Sequence, residues 1–469
     1  DREGLNWFQC MQSEGFCLNT IIIIYILKAC GNLGFVEKGQ EIHKEIVERG
    51  LGNDLVLGNA LINMYVKCGA LNKAEEVFQG LLDKDLGSFH PLLARYAQEG
   101  QAEDALKCFE SMRSQCIYWD AFTLTCILRA CTLEGAPELG EIIEVEIRKR
   151  GLLQKDMVLG ATLVDMYAKC GHLDKARGVF EQLPVRNVVS WTALMSGYIQ
   201  HGLGHETLKC FEKMVGEGIS PDIITYICVF KACALVGSLE IGENMAVEVR
   251  KQGLLQKDLV LGATLVDMYA KCGALEKARD VFNHLPKRNV VSWTALIAGY
   301  ANSGHADVVL RLYRRMTINE CIVPNLITFI ILLSACSHAG LVKDGQIYFN
   351  IMNHVYLLNP TLQHYSCMVD LFSRSGHFDK AINVIERVPL CDRLHVWMAL
   401  LGACRNWANV ELGRFAFDQS VQLDETHDAA YVCMSNTYAA AGMRDEATMH
   451  STGLRMRMGA AKIPLIEAM

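Results

Sequence analysis

One stretch of this chain occurs twice. Residues 151–198 recur at 253–300, shifted by 102 positions, and 39 of the 48 aligned residues are identical. The differences fall mainly at surface-type positions such as His172/Ala274 and Val185/Lys287. Repetition this close indicates an array of similar units that pack on their neighbours, rather than a set of independent globular domains. The length of 469 residues therefore sets the number of units.

The 102-residue period does not divide into three equal copies. Apolar periodicity and turn residues separate it into pieces of 31, 35 and 36 residues, which are 157–187, 188–222 and 223–258. Each piece carries two segments whose apolar residues are spaced by three and four, as expected for amphipathic helices. Gly171 follows the first segment of its piece and Pro184 follows the second, and both residue types end helices. Each piece is predicted to be a helical hairpin.

Stacked hairpins predict an all-α fold, a right- or left-handed superhelical α-solenoid. The chain begins with Asp1 inside a repeat, so we expect the native N-terminus to be missing. The same frame predicts a truncated unit at 1–19, an array over 20–393 and a helical extension over 394–469. The units of the array are 20–54, 55–85, 86–120, 121–156, 157–187, 188–222, 223–258, 259–289, 290–325, 326–361 and 362–393.

Composition limits the classes of function. No apolar run approaches the roughly 18 residues that a membrane helix needs, which argues against a membrane protein. The net charge of −7 argues against a nucleic-acid partner, although a solenoid can concentrate positive charge on one face. The chain has 19 cysteines but no Cys-x-x-Cys, so neither a metal site nor a cofactor is predicted. Equivalent helical positions hold four of them, Cys30, Cys131, Cys233 and Cys336, which we interpret as core residues in a reducing compartment.

Three motifs stand out in the repeated units: Asp-Met-Tyr-Ala-Lys-Cys-Gly (165–171), Val-Val-Ser-Trp-Thr-Ala-Leu (188–194) and Leu-Ser-Ala-Cys-Ser-His-Ala-Gly (333–340). These motifs resemble those of the plant pentatricopeptide repeat family. The alternating unit lengths resemble the PLS subclass of this family. Residues 394–469 resemble its E-type C-terminal extension, a pair of degenerate helical repeats, although the match fades over 460–469.

This resemblance implies binding of single-stranded RNA, with one hairpin reading one base. In the family, the fifth and last residues of a unit contact the base, and an aliphatic second residue is wedged between successive bases. Transferred to this chain, the reading pairs are Thr192/Asp222 for guanine, Thr294/Asn325 for adenine and Asn59/Asp85 for uracil. The wedging residues are Val56, Val158, Val189, Val260 and Val291.

Other units are less readily interpreted. Unit 86–120 is degenerate, since Phe89 and His90 stand where unit 188–222 has Trp and Thr. The pairs His90/Asp120, Ala161/Asn187 and Ala263/Asn289 are therefore assigned no base. The longer units look less like base readers, and their pairs are Ile24/Asp54, Thr125/Asp156, Ile227/Asp258 and Ile330/Thr361.

Each candidate residue also has a purely structural interpretation. Taken singly, Thr192 and Thr294 are typical of solvated helix residues, and only their identical register in a recognised repeat favours a role in RNA reading. Trp191 and Trp293 suggest base stacking, but their spacing from neighbouring leucines favours core packing.

The resemblance also implies a place in organellar C-to-U RNA editing, in the mitochondrion or the chloroplast. Editing proteins of this family often end in a zinc deaminase with a His-x-Glu and Pro-Cys-x-x-Cys signature. Only the string His43-Lys44-Glu45 matches half of that signature, and it lies within a predicted helix. We therefore expect no enzyme here, with a DYW-type deaminase or another editing factor acting in trans.

Two other functions stay open. A protein-binding α-solenoid scaffold of the tetratricopeptide kind is favoured by the acidic net charge, but its uniform 34-residue period does not match units of 31, 35 and 36 residues. A decayed gene product that binds nothing is the other alternative, suggested by the degenerate unit 86–120 and the irregular C-terminus.

Overall fold

A computed structural model describes residues 19–389, 393–424 and 427–449. The chain divides into two compact units, Asp1–Ala232 and Cys233–Met469. Within the described residues every regular element is a helix, and consecutive helices are joined into hairpins. The predicted all-α solenoid of helical hairpins is thus confirmed. The truncated unit at 1–19 and the end of the chain beyond 449 lie almost entirely outside the described residues.

The first helix of each hairpin has an odd number. These first helices are α1 Thr20–Leu33, α3 Leu55–Lys67, α5 Leu86–Glu99, α7 Ala121–Glu134, α9 Met157–Lys169, α11 Val188–Gln200, α13 Ile223–Val236, α15 Leu259–Lys271, α17 Val290–Asn302, α19 Leu326–Ala339, α21 Leu362–Arg374, α23 Arg393–Asn406 and α25 Asp428–Ala440. From α1 to α21, each begins at the residue that starts a predicted unit.

The second helix of each hairpin has an even number. These second helices are α2 Val36–Glu48, α4 Leu71–Gly80, α6 Ala102–Ser114, α8 Pro137–Lys149, α10 Leu173–Glu181, α12 Gly204–Gly216, α14 Leu239–Lys251, α16 Leu275–His284, α18 Ala306–Arg314, α20 Val342–His354, α22 Phe378–Ile385 and α24 Val410–Leu423. A π-helical segment, Arg315–Asn319, continues α18.

The two helices of a hairpin begin differently. From α1 to α21, the first helices start after an Asp, Asn or Thr, and its side chain commonly caps the first turn, as Asp222 does by accepting from the Thr225 backbone N–H at 2.7 Å. Second helices follow a tight turn; α10, for example, begins without a side-chain cap. The residue between them is often a left-handed glycine such as Gly171, whose φ is +85°. Capping chemistry therefore fixes where each unit begins.

Aromatic pairs fill the interior of the two near-duplicate hairpins. Phe180 meets Trp191 edge to face with ring centroids 4.5 Å apart, and Phe282 meets Trp293 at 4.6 Å. Trp191 is 2% exposed and Trp293 is fully buried. The prediction that these tryptophans pack in the core is confirmed. The four equivalent cysteines are also fully buried, and burial raises the pKa of the Cys131 thiol to about 12.

Successive first helices approach closely at a glycine. A Cβ on Gly197 would lie 2.2 Å from the Ala168 Cβ, and one on Gly299 would lie 2.6 Å from the Ala270 Cβ. These contacts join α11 to α9 and α17 to α15. In the described part of the chain, no helix is long and apolar enough to cross a membrane.

Candidate nucleic-acid interface

The second residue of most first helices between α1 and α19 is an exposed apolar side chain. The five predicted wedging valines, Val56, Val158, Val189, Val260 and Val291, are all between 55% and 60% exposed. Burying such residues is the usual way to stabilise a helix, so a row of them left in solvent is unusual. Each lies one turn from the fifth residue of its helix, on the same face.

The same register holds further apolar residues that the sequence analysis did not assign. Ile21, Phe122, Ile224 and Ile327 each stand second in a unit and are exposed. The signal was available, because they share the position of the valines and differ only in residue type. Gly87 breaks the pattern, and its missing side chain leaves room for Asn59, whose Nδ2 would lie 2.7 Å from an added Cβ. The exposed row therefore extends beyond the predicted wedging residues.

The fifth and last residues of unit 55–85 contact each other. Asn59 Nδ2 donates to Asp85 Oδ1 at 2.8 Å, and the Ser88 hydroxyl donates to Asn59 Oδ1 at 2.6 Å. Asp85 Oδ1 also accepts from the Ser88 backbone N–H at 3.1 Å as the cap of α5. The predicted reading pair is therefore held in one orientation by the start of the next unit.

A second pair has the same arrangement. His90 Nε2 lies 3.2 Å from Asp120 Oδ1, and Thr123 Oγ1 is 3.1 Å from the same nitrogen. Burial acts to raise the pKa of Asp120, but its hydrogen bonds to Thr123 and His90 and the charge of His90 hold that pKa below its usual value. The degenerate unit 86–120 thus keeps the pairing of fifth and last residues, which its sequence did not reveal.

Two predicted reading residues are more enclosed. Thr192 is 6% exposed and Thr294 is 9% exposed. The Thr192 hydroxyl donates to the backbone carbonyl of Val188 at 2.9 Å, and the Thr294 hydroxyl donates to that of Val290 at 2.8 Å. Threonine commonly makes this bond within helices, so it is compatible with a purely structural role.

The partners of these threonines cap the following helices. Asp222 Oδ1 accepts from the Thr225 backbone and hydroxyl, both at 2.7 Å. Asn325 Oδ1 accepts from the Thr328 backbone and hydroxyl, both at 2.9 Å. Within the described residues, the other side-chain atoms, Asp222 Oδ2 and Asn325 Nδ2, make no hydrogen bond. The aspartate therefore offers a free acceptor and the asparagine a free donor.

A groove lies beside the Asn59/Asp85 pair. It has a volume of about 310 Å³ and is bordered by α1, α3 and α5. Val56 and Asn59 line it, together with the basic residues Lys28 and Lys67. A predicted wedge, a predicted reader and positive charge therefore share one surface.

The His43-Lys44-Glu45 string lies in α2, as expected. His43 Nδ1 is 3.0 Å from the Tyr65 hydroxyl, and burial lowers the pKa of this histidine. Glu45 pairs with Arg49 one turn along the same helix. Across the described ranges, no group of three or more His, Cys, Asp or Glu side chains is placed to hold a metal ion.

These features define a helical-repeat protein whose first helices present one repeated face. The PPR repeat family model matches residues 186–234 and 288–338. The PPR repeat model matches six further segments, 25–51, 59–86, 88–117, 162–188, 264–290 and 364–390. The chain belongs to the pentatricopeptide repeat family.

Relatives from Arabidopsis thaliana extend this similarity over nearly the whole chain. Pentatricopeptide repeat-containing protein At2g13600 is 32% identical over 99% of this chain and 72% of its own length. Protein At4g33990 is 34% identical over 94% of this chain, which spans 54% of that relative. A putative mitochondrial relative, At3g11460, is 34% identical over 93% of this chain and 70% of its own length.

A solved structure has the same fold. The pentatricopeptide repeat protein PPR10, in complex with an 18-nt psaJ RNA element, superposes with a TM-score of 0.69 at 15% identity. The match covers 98% of this chain and 72% of PPR10. A structure of PPR10 from maize matches with a TM-score of 0.57 at 16% identity, covering 96% of this chain and 76% of the other.

Proposed function

We propose that this chain binds single-stranded RNA in a sequence-specific manner, one base per hairpin, without catalysing a reaction. The observation that carries this proposal is the register of exposed apolar residues one helical turn from the predicted reading residues. An aliphatic side chain in water gains by inserting between two unstacked bases, because both of its faces are then covered. The RNA-bound state of PPR10, which has the same fold, supports this function.

The free atoms of the helix caps supply base selectivity. Asp222 Oδ2 accepts a hydrogen bond, which suits the N1–H of guanine, whereas Asn325 Nδ2 donates one, which suits the N1 acceptor of adenine. Because Oδ1 of each residue is already held by the cap, the second atom has a defined direction. Asp85 similarly has one oxygen bound to Asn59 and one left for the N3–H of uracil.

We further propose that the chain is of the PLS subclass with an E-type extension. The lengths of 31, 35 and 36 residues between successive first-helix starts support the subclass. As a member of this subclass, the protein would select sites for organellar C-to-U editing, and a deaminase of the DYW type would act in trans. The word mitochondrial in the names of several relatives supports an organellar location.

A protein-binding scaffold is the second candidate function. The net charge of −7 favours it, because proteins that bind phosphate are usually basic overall. Crosslinking in vivo separates the two candidates: recovery of a defined RNA supports the first, and recovery of protein partners alone supports the scaffold.

The cap residues provide a direct test of base reading. Wild type, Asp222→Asn and Asp258→Asn would each be used to select RNA from a random single-stranded pool. Both substitutions exchange one good N-cap for another, so both variants should fold. Asp258 is the matched control, since it caps α15 but belongs to a unit whose fifth residue is Ile227.

For Asp222→Asn, the base opposite hairpin 188–222 should change from guanine to adenine, with a preference worth about 1–3 kcal/mol. Asp258→Asn should select the wild-type sequence. Selection of guanine by both variants would refute base reading by Asp222. If no RNA is enriched by the wild-type chain, the proposed function as a whole fails.

A further inference from the structure

Four hairpins, 20–54, 121–156, 223–258 and 326–361, recur as every third unit of the array and are called the long hairpins here. The first three of them carry a cation at their ninth residue. These residues are Lys28, Arg129 and Lys231, and they are 101 and 102 positions apart. All three are exposed, and within the described residues none forms a hydrogen bond or an ion pair. They therefore stand in solvent as uncompensated positive charges.

The ninth residue shares a face with the second and fifth. Seven residues make nearly two full helical turns, so Lys28 lies almost directly below Ile21, and Ile24 lies between them. The same relation holds for Arg129 with Phe122, and for Lys231 with Ile224. Each cation is thus on the face of its helix that carries the exposed apolar residue.

The shorter hairpins have a different charge pattern on this face. In hairpin 55–85 the ninth residue is the uncharged Asn63. In the other three shorter hairpins it is an aspartate that pairs with a cation at the thirteenth, in Asp165–Lys169 at 2.9 Å, Asp267–Lys271 at 2.9 Å and Asp370–Arg374 at 2.8 Å. These pairs contribute no net charge. In hairpins 86–120, 188–222 and 290–325 the ninth residues are the uncharged Ala94, Ser196 and Ala298. Unpaired positive charge at the ninth position is therefore confined to long hairpins.

One of these cations lines a described groove. Lys28 borders the volume of about 310 Å³ that Val56 and Asn59 also border. A strand whose base contacts Asn59 would run along this groove and bring a phosphate toward Lys28. A free ammonium group there binds a phosphate and releases the counterions held by the strand.

We infer that Lys28, Arg129 and Lys231 bind phosphates of the RNA backbone, so that long hairpins hold the strand while other hairpins select bases. This inference rests on the proposed function and assigns a role to three of the units that were given no base, 20–54, 121–156 and 223–258. It also reconciles RNA binding with a net charge of −7, because the phosphate contacts need only three local charges. The fourth long unit, 326–361, has Ser334 at this position and is not assigned a phosphate contact.

The test compares two triple variants of the full chain. One carries Lys28→Ala, Arg129→Ala and Lys231→Ala. The control carries Arg113→Ala, Lys149→Ala and Lys251→Ala, which removes the same charge from exposed residues in the last turns of second helices. The probe is a 20-nucleotide RNA that the wild-type chain selects from a random pool.

The measurement is the dependence of log Kd on log salt concentration. Each phosphate contact to a single strand contributes about 0.7 to the slope, so the first variant should lose about 2 from its slope. The control should keep the wild-type slope. Equal slopes for the two variants would overturn the inference while leaving RNA binding intact. Failure of the wild-type chain to select any RNA would instead remove the proposed function on which the inference rests.

A second measurement locates the contacts along the strand. Single phosphates of the probe are replaced by uncharged methylphosphonates, one position at a time. Successive cations lie three hairpins apart along the array, so the sensitive phosphates should recur every three nucleotides, and this pattern should disappear in the first variant. Sensitivity spread evenly along the probe, or unchanged in the first variant, would contradict the assignment.

Discussion

Hairpins 188–222 and 290–325, which both begin inside the duplicated stretch, differ in the hydrogen bonding of their buried tryptophan. Trp293 Nε1 donates to Glu320 Oε2 at 3.0 Å, and Arg288 holds the other oxygen of the same carboxylate at 2.8 Å. In the first copy Arg186 pairs with Glu217 at 3.0 Å, yet Trp191 Nε1 has no hydrogen-bond partner among the described residues. Similar sequences therefore give one complete and one incomplete polar network.

A single residue explains the difference. Glu217 follows Trp191 by 26 positions, whereas Glu320 follows Trp293 by 27. The longer copy accommodates its extra residue in the π-helical segment Arg315–Asn319, just before the glutamate. A local change of helix type thus brings a carboxylate to an indole that is unpaired in the other copy.

The largest expected loss of stability follows removal of the Glu320 carboxylate. Glu320→Ala leaves Trp293 Nε1 buried without a partner, and loss of a hydrogen bond to a charged group costs about 1.5–3 kcal/mol. Glu217→Ala breaks only a partly exposed ion pair, which is worth about 0–1 kcal/mol. Amide hydrogen exchange in α11 and α17 measures the local opening free energies. Equal losses in the two copies would show that the hydrogen bond to Trp293 adds no stability.

A smaller effect is expected where the first helices touch. Gly197→Ala and Gly299→Ala each force a methyl group against a neighbouring alanine, an overpacking that costs about 1–3 kcal/mol. Gly197→Ala should be the worse of the two, because its contact is closer. Gly178→Ala is the control, since nothing lies within 4 Å of the added atom, and it should stabilise α10 by up to about 1 kcal/mol. Urea unfolding of the three variants gives the order, and a reversed order would contradict the packing described.

The smallest expected effect on stability is in a third hairpin, 362–393, whose helix cap contains a histidine. Ser190 and Ser292 complete the caps of the two copies, whereas His364 does so in hairpin 362–393, accepting at Nδ1 and donating from Nε2 to the Leu326 carbonyl at 3.0 Å. Burial lowers the pKa of His364, partly opposed by that hydrogen bond. The unfolded chain therefore binds the proton more tightly than the folded one.

Stability from His364 is consequently present above its usual pKa of about 6.5 and is lost as pH falls below it. His364→Ser keeps a capping residue but does not titrate. Between about pH 7.5 and about pH 5.5, the variant should lose less stability than wild type, as measured by the urea midpoint. His43 titrates in both proteins and cancels in this difference. Parallel pH profiles would exclude a contribution from His364.

Sequence reasoning located the features that depend on local patterns. The starts of the first helices, the packing of Trp191 and Trp293, and the left-handed Gly171 all follow from periodicity and capping preferences. It missed contacts between residues that are far apart in the sequence. The pairing of His90 with Asp120 joins residues 30 positions apart, and the enclosure of Thr192 depends on neighbouring helices. The unequal tryptophan networks depend on one inserted residue. The sequence pattern does not indicate that this residue changes the helix type.

The helix caps have a consequence for how such a protein changes over generations. Asp and Asn start a helix about equally well, so exchanging them at Asp222 or Asn325 costs the fold almost nothing. The atom left over by the cap nevertheless changes from an acceptor to a donor. Under the proposed base reading, a lineage of these proteins would acquire new RNA targets by single neutral steps, since the position that specifies the target is insulated from the stability of the scaffold.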